Sequence, residues 1–354
     1  MIQWSVYAVV LLTFLSPAAP VQGMVLNHLD RPEVKPLAQI EADVIGQNAE
    51  TDTRSLDEHA WVQTGLKEKS IRCLATDDTR LLAGTPFGGV YRSTDGGESW
   101  TQTGLQETVV QSLAANDSVF FAGTADGVFR STDRGATWSN ADSALTNRDV
   151  NSVMVDGPIA VAGTWHGVMW STDGGRRWDQ RGLLHQNVKC VALHGSLLFA
   201  GTSPDGVLRS SDGGASWRPT ALTGTDVYSL LVIGENVFAG TWGGVFVSTD
   251  SGGSWTLKGL SGFNVKCLAG RGAFLVAGTW AGGVFLSTNG GSDWTAFNTG
   301  LTNTNVWAIA LDETTIFAGT EGGGVWRRDL PTSTVELRNS HGSTNESMSK
   351  KEKE

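Results

Sequence analysis

Residues 93–100 read STDGGESW, and the same eight-residue frame returns as STDRGATW at 131–138, STDGGRRW at 171–178, SSDGGASW at 210–217, STDSGGSW at 248–255 and STNGGSDW at 287–294. The frame is S-x-D-x-G-x-x-W, with Asn289 in place of the acid in the sixth copy. Its closing tryptophan also stands at Trp61, so the series runs 61, 100, 138, 178, 217, 255 and 294, in steps of 38 to 40 residues. A Gly-Thr pair keeps the same spacing, at Gly84, Gly123, Gly163, Gly201, Gly240, Gly278 and Gly319. Two markers that share no residue each count seven units, and a fixed period of this length is the signature of a repeat architecture.

Between the markers the hydrophobic residues recur every second position, in short pieces rich in Val, Leu and Phe, which is the pattern of strands. In the fifth unit VYSLLVIG predicts a first strand, NVFAGT a second, GVFVSTD a third and SWTLKGL a fourth. Four short antiparallel strands in about 39 residues make a propeller blade. Such a blade cannot bury its faces alone, so the array must fold as one ring. The last unit offers VWAIALD, TIFAGT and GVWRRD but no fourth strand, and Arg328 and Leu330 stand where its Ser and Asp belong. WVQTGL, at 61–66, is an orphan fourth strand at the other end. The expectation is an all-β, seven-bladed β-propeller of four-stranded antiparallel blades over 61–330, its ring closed by the strand 61–66.

Composition agrees and excludes other classes. Glycine is 45 of 354 residues, near twice the usual share, which disfavours helices because each interior Gly costs roughly 1 kcal/mol. With 40% hydrophobic residues the chain can bury a large core. A net charge of −10 speaks against a nucleic-acid footprint, and no apolar run is long enough for a transmembrane span. Residues 1–23, an apolar run followed by SPAAPVQG, read as a signal peptide cut after Gly23, which predicts a secreted or periplasmic protein. Residues 24–60 carry eight acids against three bases, a net −5, and are expected to be a disordered leader. The polar segment 331–354, without net charge, is expected to be a disordered tail.

The eight-residue frame resembles the Asp-box, or BNR, repeat. Through it the chain resembles the Asp-box propellers: sialidases, xyloglucanase-type hydrolases, sortilin-type receptors and photosystem II assembly and stability factors. The likeness covers about 270 residues and is specific for fold rather than function. Physically, the Asp side chain can accept hydrogen bonds from the N–H groups of the turn it opens, Gly permits positive φ, and Trp packs back on the hairpin. Asn289 keeps the acceptor oxygen without the charge, which suits a turn and suits a catalytic or metal carboxylate badly. Asp95, Asp133, Asp173, Asp212, Asp250 and Asn289 are therefore read as structural. The resemblance places these turns between third and fourth strands, on the face opposite the binding side.

The other face is built by the hairpins after each Gly-Thr and by the crossovers between blades. The hairpins read PFGG, ADG, WHG, SPDG, WGG, WAGG and EGGG, so they carry Phe87, Trp165, His166, Trp242 and Trp280, while the crossovers add Arg148, Asp149, His185, Asp226 and Phe263. Loops that vary on a constant scaffold are where binding residues gather. Aromatic side chains at a rim favour flat apolar contacts with a sugar or a protein; the alternative is that the three tryptophans fold down between blades. Phe87, Trp165, His166, Trp242, Trp280 and Phe263 are the candidate ligand-binding residues, and His166 and His185 could meet near the channel mouth. Cys73, Cys190 and Cys267 share one repeat position in the first strand on non-adjacent blades, which predicts buried free thiols rather than a disulfide or a metal site.

For a sialidase the resemblance implies an arginine cluster, an acid/base Asp, a Tyr-Glu nucleophile pair and six blades. After the signal segment the chain has only Tyr91 and Tyr228, no FRIP-like string and seven units. Xyloglucanase-type enzymes set two propellers around a cleft. The arginine patch of the photosystem II factors is not evident, since Arg92, Arg130, Arg209 and Arg327 fall in third strands of separate blades. The leading expectation is a secreted, non-catalytic, monomeric propeller, without cofactor or metal, that binds a protein partner or a glycan through its loop-rich face. The alternative is a glycoside hydrolase or lyase, for which Asp126, Asp205 and Glu321 are the upper-face acids.

Overall fold

The computed structural model describes residues 60–330 apart from 78, 117–118 and 142–147. The expected signal peptide, leader and tail lie outside these residues. Among the described residues 28 short strands sort into seven antiparallel sheets of four, with no helix. In the fifth blade the strands are Val227–Ile233, Asn236–Thr241, Gly244–Ser248 and Thr256–Leu257. The fourth strand is shorter than its hydrophobic pattern predicts, because it is an exposed outer edge: only Phe246↔Leu257 and Val247↔Thr256 pair in register. Beyond them single backbone bonds continue, Lys258 N–H to the Val245 carbonyl at 2.7 Å and Val245 N–H to that of Gly259 at 3.0 Å.

The first strand of each blade packs against that of the next, and blade seven against blade one, so the ring closes around a central channel. Second strands lie between neighbouring sheets on both faces; every residue of Phe120–Thr124 is buried. The core is correspondingly a ring of seven hydrophobic clusters between adjacent blades. Leu82 and Val90 of blade one, for example, pack with Val110, Phe120 and Ala122 of blade two.

The Gly-Thr marker belongs to these seams. A Cβ on Gly123 would lie 2.7 Å from Ser112 Oγ in its own sheet and 2.7 Å from Val150 Cγ1 in the next, so no side chain fits. The small first-strand residue facing each such glycine, Cys73, Ser112, Cys190, Ser229 or Cys267, has the same cause. Cys73 and Cys190 are buried, Cys267 is partly buried, and all three are free. Burial pushes the Cys190 and Cys267 thiols up to about 12 and raises that of Cys73 as well.

Closure follows the expected route. Val62–Gln63 pairs antiparallel with Gly324–Asp329, through Val62↔Arg327 and Gln63↔Trp326, and completes the last sheet. Trp61, 3% exposed, sits in the cluster between blades six and seven. Its indole N–H donates to the Phe297 carbonyl at 2.6 Å and its ring stands edge-on to Phe297 at 6.2 Å. Gly65 N–H then donates to the Gly97 carbonyl at 2.8 Å, tying the segment to blade one. Arg328, in the place of the missing Ser, is buried with its guanidinium 3.4 Å from the centre of the Phe297 ring.

Candidate functional site

Up-and-down strands put the second-to-third hairpins and the crossovers on one face of the ring, here the upper face. The first-to-second hairpins and the S-x-D-x-G-x-x-W turns share the other. The threonine of each Gly-Thr pair shapes the upper hairpins. Thr164 is fully buried, its hydroxyl donates to the Gly167 carbonyl at 3.0 Å and accepts from His166 N–H at 3.1 Å. Thr241 and Thr279 bind Gly244 and Gly283 in the same way, at 2.9 Å each. Three pinned hairpins thereby carry Trp165, Trp242 and Trp280.

These tryptophans are 48%, 46% and 40% exposed, and Phe87 is 83% exposed, so they project from the upper rim instead of filling the seams. His166 and His185, both exposed, bring their rings to 6.4 Å. Phe263 differs: it is half-buried and edge-on to Phe285 at 4.8 Å, part of the packing beneath the rim. Leu184, 61% exposed on the crossover beside His185, adds an apolar contact that the sequence reading did not single out.

A second set of residues lies inside this rim. Near the upper end of most first strands the register shifts by one residue, between Val110 and Ser112, Val150 and Ser152, Val188 and Cys190, Val227 and Ser229, Val265 and Cys267, and Val306 and Ala308. A bulge of this kind turns the extra residue out of the ladder. The extra residues are Gln111, Asn151, Lys189, Tyr228, Lys266 and Trp307, and Arg72 holds the equivalent place in blade one. Neighbours then meet around the channel mouth. The Arg72 guanidinium lies 4.3 Å from the Trp307 ring centre, and Lys266 Nζ lies 5.3 Å from Trp307 and 3.6 Å from Tyr228. Asn151 donates to the Val188 carbonyl at 2.9 Å, and Lys189 Nζ sits 4.8 Å over the Trp165 ring. Trp280 stands edge-on to Trp307 at 5.5 Å, which joins rim to mouth.

Three cations converge here with one carboxylate, Asp226, which accepts from Ser203 Oγ at 2.5 Å and Tyr228 Oη at 3.3 Å. Burial, reinforced by repulsion from Lys189 and Arg72 and opposed by Asp226, brings the Lys266 ammonium down to about 8. Burial lowers Lys189 too, and burial together with the Asp226 charge pushes Tyr228 up to about 12. The sequence reading looked for function in loops and missed this ring. Its signal was the position before the small first-strand residue, which varies as Arg, Gln, Asn, Lys, Tyr, Lys and Trp while its neighbour stays small. Below the mouth the same strands line a cavity of about 340 Å³, with Leu74, Leu113, Leu231, Leu268, Ile309 and Leu311 among its walls.

On the lower face the repeat carboxylates act on their own turns. In the first frame Asp95 accepts from Ser99 N–H at 3.0 Å, from Ser99 Oγ at 2.5 Å and from Ser93 Oγ at 2.7 Å. Asp133, Asp212 and Asp250 repeat the pattern with Thr137, Ser216 and Ser254, and Asp173 accepts from the N–H groups of Arg176 and Arg177. The hydroxyl of the residue four positions on holds Asp95 and Asp133 down at about 2, and its backbone N–H does the same for Asp250. Asn289 keeps the acceptor role toward Asp293 N–H at 2.9 Å, while its amide donates to the Asp293 carboxylate at 2.7 Å. Only the bond between the two side chains has exchanged donor and acceptor. The closing tryptophans reach the preceding blade: Trp138 donates to Thr103 Oγ1, Trp255 to Thr220 Oγ1 and Trp294 to the Lys258 carbonyl, at 2.9–3.1 Å. Among the described residues no three His, Cys, Asp or Glu side chains gather where they could hold a metal ion.

No protein-family profile and no curated protein matches the sequence. Solved structures do. The extracellular domain of BT4673 from B. thetaiotaomicron superposes with a TM-score of 0.64 at 19% identity, over 76% of this chain and 39% of that one. YCF48 from Cyanidioschyzon merolae gives 0.60 at 18% identity, over 77% and 99%, and YCF48 bound to D1 peptide gives 0.61 at 18%, over 77% and 98%. The GH74 xyloglucanase of Xanthomonas campestris gives 0.61 at 16%, over 76% and 53%. At these identities the likeness shows the fold, the seven-bladed β-propeller. The chain spans about two fifths of BT4673's extracellular domain and all but the whole of YCF48.

Proposed function

We propose that this chain is a secreted, non-catalytic binding module that takes a segment of a partner protein on its upper face. The observation that carries the reading is the set of Trp165, Trp242 and Trp280, each held 40–48% exposed on a hairpin pinned by a buried threonine. Large aromatic side chains fixed in place lose little entropy on contact and are typical anchors of protein interfaces. The apolar leader of 1–23 and the likeness to an extracellular domain support secretion; the likeness to YCF48, solved with a bound peptide, supports a polypeptide ligand. A hydrolase would need two carboxylates facing one bond. The hairpin acids Asp126, Asp205 and Glu321 stand instead on blades two, four and seven, no two of them adjacent; Asp126 is engaged by the Thr108 hydroxyl at 2.6 Å and the crossover acid Asp226 by Ser203 Oγ and Tyr228 Oη.

The test is a selection of displayed random peptides on the purified protein. Peptides enriched on the wild type should lose binding to the Trp165→Ala/Trp242→Ala variant, whose thermal unfolding should stay close to that of the wild type. Equal binding by the variant would overturn the reading. So would product release from a polysaccharide panel that is lost on replacing one upper-face acid, which would establish the hydrolase alternative.

A further inference from the structure

We propose that the channel mouth is an anion site, in which Arg72, Lys189 and Lys266 take the carboxylates of an acidic peptide segment. The proposal deepens the reading above and rests on it for the polypeptide nature of the ligand, not for the site. Three like charges from blades one, four and six have been brought to one end of the channel, at the bulge position or its equivalent. Among the described residues none of the three has a carboxylate oxygen within 4 Å, and Asp226, the acid whose charge reaches both lysines, is already held by Ser203 and Tyr228. The cluster is therefore left with a surplus of two positive charges, on a chain whose net charge is −10.

Repulsion of this kind is usually relieved by swinging long side chains into water. Here neighbouring blades prevent it: Trp307 and Tyr228 hold Arg72 and Lys266, and Trp165 holds Lys189. Cations fixed beforehand in a partly desolvated place bind an anion without first losing side-chain entropy. The same contacts argue for an acidic peptide over an acidic sugar. A sugar ring needs a free aromatic face, and inside the mouth one face of Tyr228 is taken by Lys266, while Trp307 is met by Arg72 and Lys266 and by the edge-on Trp280. Lys266, down at about 8 between Arg72, Lys189 and Asp226, would hold its proton more tightly beside a bound carboxylate.

Titration calorimetry with blocked hexaglutamate, hexaglutamine and hexagalacturonate tests this. Hexaglutamate should bind, more weakly as salt rises, and more tightly than the other two. Lys266→Met and Arg72→Gln should each weaken it roughly tenfold or more, the worth of one charge-assisted hydrogen bond. At about pH 8.5 binding should take up protons in wild type, as Lys266 recharges; Lys266→Arg should keep the affinity and lose the uptake. Absence of hexaglutamate binding, unchanged affinity in well-folded variants, or tighter binding of hexagalacturonate would each overturn the proposal. If the cation variants fail to matter while selected peptides still depend on Trp165 and Trp242, this inference falls alone. If the reverse is found, the rim reading falls alone.

Discussion

Replacing Trp61 by Ala should open the ring at its seam. The side chain is 3% exposed, stands edge-on to Phe297 and donates its indole N–H to the Phe297 carbonyl at 2.6 Å. Removing a buried tryptophan costs about 3–5 kcal/mol, of which the edge-on contact accounts for about 0.5–1.5 kcal/mol. Trp61→Phe keeps an aromatic ring but leaves the carbonyl without its donor, a loss of about 1–3 kcal/mol. In a domain of this size 1 kcal/mol moves Tm by roughly 2–4 °C, so Trp61→Ala should melt about 6–20 °C lower. Urea unfolding followed by near- and far-UV circular dichroism measures the change, and Trp165→Ala, on the exposed rim, is the control at about 0.5 kcal/mol or less. A Trp61→Ala loss below about 1 kcal/mol, or one equal to the control, would refute the closure argument, since the N-terminal strand would then contribute little to the ring.

Two further outcomes follow from the repeat. The carboxyls of Asp95, Asp133 and Asp250 lie at about 2 when folded against an ordinary 3.8, so the stability they contribute is present above about pH 4 and is lost as pH falls toward 2. Asp→Asn at these three positions should flatten the fall of Tm across that window, and an unchanged acid profile would contradict the role given to the turns. Gly123→Ala, whose Cβ would lie 2.7 Å from both Ser112 Oγ and Val150 Cγ1, should cost about 1–3 kcal/mol in urea unfolding; a neutral result would show that the seams between blades can yield.

The ring was legible in the sequence because its two markers answer to forces that recur in every blade. Gly123 and its equivalents meet the same steric limit, and Asp133 and its equivalents close the same turn, so the residues repeat. WVQTGL could be placed because a blade without a fourth strand leaves an exposed edge. The extent of pairing in the fourth strands was not legible, since Thr256 and Leu257 look no different from SWTLKGL as a whole until the outer edge of the sheet is seen to leave them exposed. The rim tryptophans stood out as departures in a constant frame, though not their orientation, which depends on where Thr164, Thr241 and Thr279 pin the hairpins. Phe263 looked the same in sequence and turned inward onto Phe285. The channel mouth was hardest to read: Arg72, Lys189, Tyr228, Lys266 and Trp307 each occur once in a long unit, and only the closed ring makes neighbours of them.

Hydrogen exchange of the protein, free and with a selected peptide, tests most directly whether the upper face is the binding face. The account predicts slowed exchange in the hairpins at Trp165, Trp242 and Trp280 and around Arg72, Lys189 and Lys266, with the turns at 93–100, 131–138 and 210–217 unchanged. Protection confined to those lower turns, with the tryptophan hairpins exchanging as before, would contradict it.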